Sequence, residues 1–474
     1  MMSGLADLPN KQSLSFFFLL ILVVISRFPL LFLGYGSDGD GWRVALSAST
    51  LWNEGVYQPS RFPGFPVYEI LNAPLVGLGS SLLSNSATMI VFIVAIVFFK
   101  KILERFEIPG QNILVWTFAF MPILWKNSAV TVDYVWGLTF ILVSLFFLLE
   151  NKIILSAVML GIAVGTRLTH IIFLVPYCLL LYREEKQNKV FLMCAITLVV
   201  STICFLPMLL RPELKNDIFV YLADIRHYSF IQMIGYFLYR SVFAIGLFGA
   251  INIIIFLFLS YWRVIELFKS NDKPLQVCTA AIIIMLCAFF FMADEREYLI
   301  PIIPFVLMAL GIVFKRKYLI ATCICLLSYS FINVDLIEHG FGKQRFSPNI
   351  TSGFVVNDYG VRRKSLQARE ILPNYPLPDS CVVMTACGPR YWFENAHLKH
   401  SSELIDKFKD DDASVSIEKP DRYFVFSLTS TKCQEMQHKD YHVYYLMDMK
   451  EYLESFLFYN LDSSGAQPLD FQLY

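Results

Sequence analysis

Residues 14–33 read LSFFFLLILVVISRFPLLFL. An α-helix rises about 1.5 Å per residue, so a run of this length crosses the roughly 30 Å hydrocarbon layer of a bilayer. Lys11 precedes the run, and no small-residue cleavage site stands near its end. It therefore reads as a retained spanning helix rather than a signal peptide. This reading sets the fold, because the sequence beyond it repeats the pattern.

Further apolar runs lie at 84–99, 111–126, 132–149, 153–165, 171–182, 190–210, 239–262, 275–293, 298–314 and 318–334, giving about eleven candidate spans. The pair 153–165 and 171–182 is short and reads as tilted, partly re-entrant, or extending past these limits. Of the 474 residues, 56% are hydrophobic and 43 are phenylalanine. Charged residues make up 16%, against about 25% in a soluble protein, and mean hydropathy is +0.55. The expected class is an α-helical polytopic membrane protein. Formal net charge is zero, so nothing points to a nucleic-acid partner.

Loop charge predicts the topology. Lys100 and Lys101, then Lys152, then Arg183, Lys186 and Lys189, then Arg263, Lys269 and Lys273, then Lys315, Arg316 and Lys317 all fall on one side of the predicted spans. The positive-inside rule makes that side cytoplasmic. The outer side receives the first loop at 35–84, the turns near 127–133 and 166–170, the stretches 211–239 and 294–297, and the tail. After residue 335 the apolar runs stop. Short strands are expected at 381–385, 423–428, 442–447 and 456–460, with a helix near 390–396. The predicted organisation is a membrane domain over 1–335 and a small external α/β domain over 336–474. There is no internal repeat and no low-complexity tract. Most of the ten cysteines sit in apolar runs, as buried hydrophobes do. Three others, Cys381, Cys387 and Cys433, allow at most one disulfide among themselves, and no zinc-ligand spacing occurs.

The outer loops carry the polar residues of interest. The first reads GSDGDGWRVALSA over 36–48, with Asp38 and Asp40 among glycines and Asp40 near the start of a predicted helix, where the helix dipole favours a carboxylate. A plain helix cap reads equally well there. The loop continues GVYQPSRFPGFPVYE over 55–69, where prolines and a glycine predict a rigid turn flanked by Arg61 and Glu69. Its aromatics also suit an interfacial anchor. Asp133 begins a span, and Arg167 and His170 lie between two apolar runs. Charge at membrane depth is costly and usually faces a wet cavity or a partner. The stretch 211–239 reads as an amphipathic interfacial helix whose charges are solvated. Near the start of a late span, DEREYLIPIIP over 294–304 holds Glu295, Arg296 and Tyr298. The fork of Arg296 matches phosphate oxygens, although a charge cluster that ends a helix is the plainer reading.

Together these phrases resemble the GT-C superfamily of polyprenyl-phosphate-sugar-dependent glycosyltransferases, above all the protein O-mannosyltransferase and aminoarabinose-transferase group. Asp40 is followed by Arg43 and by the small residues Ala45 and Ala48, which is similar to the start of that family's first outer loop. Where the family often has a second acidic residue after the Asp, this chain has Gly41, so Asp38 stays open beside the preferred Asp40. Thr166-Arg167 and the stretch from Glu295 to Pro301 are similar to two further family phrases. The likeness covers about 10–335.

The resemblance implies a GT-C-like fold and a sugar donor on polyprenyl phosphate in the membrane lipid. The acceptor would be a glycan, lipid or protein on the outer face of a bacterial inner membrane, with the endoplasmic reticulum membrane as the less favoured alternative. It implies a hexosyl or pentosyl transfer that inverts the anomeric centre, with Asp40 or Asp38 as base and Arg296 with Arg167 on the phosphate. Arg61, Glu69, Asp133, His170, Glu295 and Tyr298 would shape the substrate pocket. No metal ligand set is implied, although a divalent ion is compatible with the donor. The rival classes are a transporter or flippase of a lipid-linked sugar, a polysaccharide polymerase or ligase, and a non-catalytic scaffold. Against a transporter, no inverted repeat stands in the sequence.

Overall fold

A computed structural model describes residues 11–37, 39–61, 63–183, 186–210, 229–270, 272–293, 295–340, 343–371, 375–384, 416–419, 422–425, 428–446, 450 and 460–469. Asp38, Cys387, the charges between 211 and 228, the predicted helix at 390–396 and most of the predicted strand at 456–460 lie outside these residues. The chain divides into two compact units. The first is Met1–Phe32, Ser47–Phe331 and Gly353–Val355; the second is Leu33–Leu46, Ile332–Ser352 and Val356–Tyr474.

The first unit is helical. Its elements are α1 (Lys11–Leu31), the later part of α2 (Gly39–Glu54), α3 (Pro66–Arg105), α4 (Gln111–Phe120), α5 (Pro122–Asn127), α6 (Tyr134–Leu149) and α7 (Ile153–Thr166). After a 3-10 turn at Leu168–Phe173 come α8 (Leu174–Arg183), α9 (Gln187–Leu209), α10 (Phe230–Ile245), α11 (Leu247–Leu259), α12 (Tyr261–Lys269) and α13 (Lys273–Phe291). A second 3-10 turn, Arg296–Ile302, leads into α14 (Ile303–Val313), and α15 (Arg316–Ser328) follows. Among the described residues five helices are long and apolar enough to cross a membrane, or six if the bent pair α10–α11 is one span. Three shorter apolar segments are Tyr134–Leu149, Ile153–Thr166 and Leu168–Arg183. These are the helices of a multi-pass membrane protein.

Packing follows from small residues and narrow buried stripes. Helix α6 packs between α3 and α7, and α7 packs on α9. Gly161 and Gly165 of α7 bring the α9 backbone close: a Cβ on Gly161 would meet Val200 Cβ at 2.6 Å and the Thr197 carbonyl oxygen at 3.1 Å. Small residues four apart permit such contact between membrane helices. On α9 only Met193, Thr197, Ser201 and Met208 are buried, while Phe191, Val199 and Ile203 face outward. A helix that is apolar all round and buried along one stripe suits lipid on its other faces.

Several predicted boundaries need correction. Residues 66–84, expected in the outer loop, belong to the 40-residue helix α3, which is interrupted at Gly79 and Ser80 where the backbone leaves helical geometry. Pro66 stands at its N-terminus, where a missing N–H costs nothing. The run 111–126 is two helices, because Met121 is extended and Pro122 cannot continue α4. The run 239–262 is broken by a bend of 95° between α10 and α11 at Gly246, whose φ of +78° suits glycine. The expected span at 318–334 ends at Ser328, and a strand starts at Ile332.

The second unit holds a hairpin, β1 (Ile332–Gly340) antiparallel to β2 (Lys343–Ser352), and most of α16 (Phe354–Ile371). It continues with β3 (Cys381–Met384), β4 (Ser416–Lys419), β5 (Arg422–Val425), α17 (Ser430–His438), β6 (His442–Leu446) and β7 (Gln467–Leu469). The sheet order is β4-β5-β3-β6-β7, with β3 central and parallel to both neighbours. A strand buried on both faces must be apolar throughout, and β3 reads CVVM with all four residues buried. Cys433 and Met436 of α17 join its core. The expected strands at 381–385, 423–428 and 442–447 are present within a residue or three of those limits. Strands β1, β2, β4 and β7 were not expected.

Candidate active site

Asp133 sits just before α6 and is fully buried. Its carboxylate accepts from Arg167 Nε at 2.7 Å and from Arg61 Nη2 at 3.2 Å. Three rings surround the Arg167 guanidinium: Tyr134 at 4.2 Å, Tyr298 at 4.8 Å and Phe65 at 5.2 Å. Arg61 lies over Phe65 at 4.6 Å. Such stacking adds about 2 kcal/mol when the cation is desolvated. Tyr134 donates its hydroxyl to Glu295. Burial is the largest influence on Arg61 and opposes its charge, but Asp133 with Tyr134 and Glu295 together outweigh it and hold the guanidinium pKa above its ordinary value. Arg61, Asp133, Arg167, Glu295 and Tyr298 thus form one network from four segments of chain. His170 lies behind it: its Nδ1 contacts the Ala163 carbonyl at 2.9 Å, which also accepts from the backbone N–H of Arg167. Gly137 on α6 makes room, since a Cβ there would sit 2.1 Å from His170 Cε1.

Glu69 does something different. Its carboxylate accepts from the backbone N–H of Ser60 at 2.7 Å, from that of Phe65 at 3.1 Å and from the Tyr57 hydroxyl. All three donors belong to the loop that leads into α3. Glu69 therefore folds the turn that carries Arg61, and its oxygens are spent on the loop.

Arg296 turns toward a second cluster. Its Nη1 donates to the Tyr329 hydroxyl at 3.1 Å, and its guanidinium covers the Phe354 ring at 4.2 Å. Lys126, at the end of α5, covers the same ring at 5.2 Å and bonds Glu297 at 3.3 Å. Glu297 also lies 3.8 Å from Arg296 Nε. Two cations thus share the Glu297 carboxylate. The Arg296 side chain keeps 28% of its surface against 10% for Arg167, so Arg296 is the one open to an incoming anion.

The same helical unit holds an apolar cavity of about 170 Å³. Its lining includes sequence neighbours of the cluster: Met121 precedes α5, Leu299 and Ile302 follow Arg296, and Leu326 precedes Tyr329. Arg27 of α1 braces the same corner. It is completely buried, donates to Ser128, Ser26 and the Ala119 carbonyl, and is ringed by Phe92, Phe120 and Trp125. Neither Lys126 nor Arg27 was singled out in the sequence, because both lie within apolar runs.

Asp40 belongs to the second unit. It stands in the first turn of α2, nearly buried, 3.6 Å from Arg43. The segment before it is held by Asp358 and Arg362 of α16: Asp358 accepts from the Ser37 hydroxyl at 2.5 Å, and Arg362 donates to the carbonyls of Leu33 and Gly34. These two residues lie in the tail and carried no motif. Among the described residues no three His, Cys, Asp or Glu side chains converge as a metal site would require.

Fold and side chains together are those of a multi-pass membrane protein with a buried arginine–aspartate network, a separate cationic cluster and an apolar cavity. Three solved structures are similar to the chain. ArnT from Cupriavidus metallidurans in the apo state has 15% identity and a TM-score of 0.46, over 65% of this chain and 60% of that one. ArnT bound to undecaprenyl phosphate has 16% identity and a TM-score of 0.47, over 64% and 60%. The Archaeoglobus fulgidus oligosaccharyltransferase complex with Zn and sulfate has 11% identity and a TM-score of 0.44, over 95% and 62%. The matched region spans about three-fifths of the length of those chains. No family model matches the sequence, and no curated protein matches it.

Proposed function

We propose that this chain is a membrane glycosyltransferase that moves a sugar from a polyprenyl phosphate to a hydroxyl or amine on the outer face of the membrane. The observation that carries this reading is the cationic pair Lys126 and Arg296 together with an apolar cavity whose lining includes their close neighbours in sequence, Met121, Leu299 and Ile302. A polyprenyl phosphate has the same construction, an anionic head joined to a long apolar chain. The motif resemblance around Asp40, Thr166-Arg167 and Glu295–Pro301 supports the same reading.

In the proposed reaction the acceptor oxygen or nitrogen attacks the anomeric carbon as the bond from that carbon to the phosphate oxygen breaks on the opposite face, inverting the centre. Asp40 takes the acceptor proton. The donor phosphodiester carries one negative charge, and the departing polyprenyl phosphate carries two. Lys126 and Arg296 meet that growing charge, so they act more strongly on the transition state than on the bound donor. This revises the role expected of Arg167. With Asp133 on its Nε and rings over its face, Arg167 orders the pocket wall together with Arg61, Glu295 and Tyr298. Counting the three shorter apolar segments as tilted spans raises the six to nine; the eleven crossings expected from loop charge, with an external tail, also need the pair α4–α5 and α15 to cross.

The test is donor kinetics with protein in lipid. Lys126→Gln and Arg296→Gln should each lower kcat/KM for a polyprenyl-phosphate sugar by about 10²-fold or more, the usual scale for losing one charge-stabilising donor. Lys189→Gln, a cation in the first turn of α9 outside the cluster, should leave it unchanged. Wild-type kinetics in both cluster variants would remove the support for this reading.

A further inference from the structure

The segment that leads to Asp40 is tied down by a helix 321 residues further along the chain. Arg362 of α16 is 1% exposed. Its Nε and Nη2 donate to the carbonyls of Leu33 and Gly34 at 3.2 and 3.1 Å, and its Nη1 lies 3.6 Å from the Asp358 carboxylate one turn earlier. Asp358 in turn accepts from the Ser37 hydroxyl. Gly34 has a φ of +71°, a geometry that lets its carbonyl and that of Leu33 meet one guanidinium fork. Trp42 closes the far side, with its indole N–H on the Gly36 carbonyl at 3.1 Å and its ring against Tyr35 at 5.0 Å. The carbonyls of residues 33, 34 and 36 and the hydroxyl of residue 37 are thus all engaged by side chains.

We infer that Asp358 and Arg362 are positioning residues for Asp40, an inference that rests on Asp40 being the base. Asp40 is three residues beyond Ser37 and two before Trp42, so a clamp on 33–37 and on Trp42 fixes the start of α2 and with it the carboxylate. A glycine-rich segment such as 34–41 has high conformational freedom of its own. The clamp removes that freedom, and through it the tail orders the loop of the base. Arg362 is suited to this work because its planar fork engages two carbonyls at once while its third nitrogen faces a carboxylate.

Amide hydrogen exchange in the full-length protein in detergent tests the clamp without reference to activity, and transfer kinetics on the same samples test its consequence. Ser37→Ala and Arg362→Met should raise exchange across 33–46 and leave β3 and β6 protected, which shows that the unit is still folded. If Arg362→Met also exposes β3, Ser37→Ala decides. In Arg362→Met, kcat should fall about 10²-fold, the scale of an ångström-sized misplacement. The donor KM should stay within about twofold, as for an interaction used only in the transition state. Arg362→Lys, which keeps the charge, should recover part of both effects, and Asp40→Asn should abolish transfer without altering exchange. Unchanged exchange in both Ser37→Ala and Arg362→Met would overturn the clamp whatever the kinetics. Raised exchange with wild-type kcat would overturn positioning and leave the base assignment standing. Undiminished transfer by Asp40→Asn would overturn the base assignment, and the inference with it.

Discussion

Asp133 holds two arginines with one carboxylate. Removing that carboxylate leaves two guanidiniums facing each other in a buried place. Breaking such a pair costs about 3–5 kcal/mol, far more than an exposed pair would. Asp133→Ala should therefore lower the melting temperature in detergent markedly, whereas removing the half-exposed partner Glu104 of Lys100 should change it little. Equal melting temperatures for Asp133→Ala and wild type would show that the network does not bind the helices together. Residues of this kind differ in how far the sequence displays them. Asp133, Arg167 and Arg296 stand at the edges of apolar runs, where any charge is conspicuous. Lys126 and Arg27 are hidden inside such runs, and only the fold brings them to one corner. Glu69 was visible as a charge, but its partners are mostly backbone N–H groups, which no residue type announces.

The helices were legible as elements because apolar runs of spanning length need no periodicity to be seen. Their interruptions were legible only in part. Pro122 breaks its run for a reason written in the sequence, the missing N–H. Ser80, at a φ of +55° beside Gly79, breaks α3 within an apolar run whose length alone reads as continuous helix. Gly246 is the interruption that matters most for the candidate site. A Cβ there would meet Tyr329 Cγ at 2.6 Å, and Tyr329 receives the hydrogen bond from Arg296. Gly246→Ala should thus strain the bend by more than about 1 kcal/mol and push Tyr329 off Arg296, raising the donor KM and lowering the melting temperature together. Gly235→Ala, with nothing within 4 Å of its Cβ, should leave both as they are. If the two variants behave alike, the bend does not set the Arg296 cluster. In the tail, β3 and β6 were readable from apolar runs; β1 and β2 were not, because INVDLIEHG and KQRFSPNITS mix charge and proline as loops do.

At the scale of the whole molecule, the proposed eleven crossings and the positive-inside rule would put the five basic loops on one side and the tail on the other. Cysteines placed at Lys101 and at Asp379, whose side chain is 93% exposed, distinguish the arrangements. A membrane-impermeant maleimide should label Asp379→Cys on intact cells and Lys101→Cys only after permeabilisation, each above the background of native cysteines. Labelling of both from the same side would require an even number of crossings and would set the tail apart from the outer face. What the sequence could not display at this scale is the division of the first outer loop, whose residues 33–46 belong with the tail while 47 onward belong with the helices. That division depends on Asp358 and Arg362, which lie in a stretch with no motif to draw attention to them.

The most direct measurement is transfer itself. Purified protein in lipid is given radiolabelled polyprenyl-phosphate sugars and an extract of candidate acceptors, with Asp40→Asn and Asp38→Asn alongside wild type. Label should pass to an acceptor with wild type and with Asp38→Asn, and fall by at least about 10²-fold with Asp40→Asn, as general-base loss requires. Loss confined to Asp38→Asn would move the base within the loop. If no donor yields transfer, while the same vesicles carry a lipid-linked sugar from one leaflet to the other, the chain is a flippase and the transferase reading is contradicted.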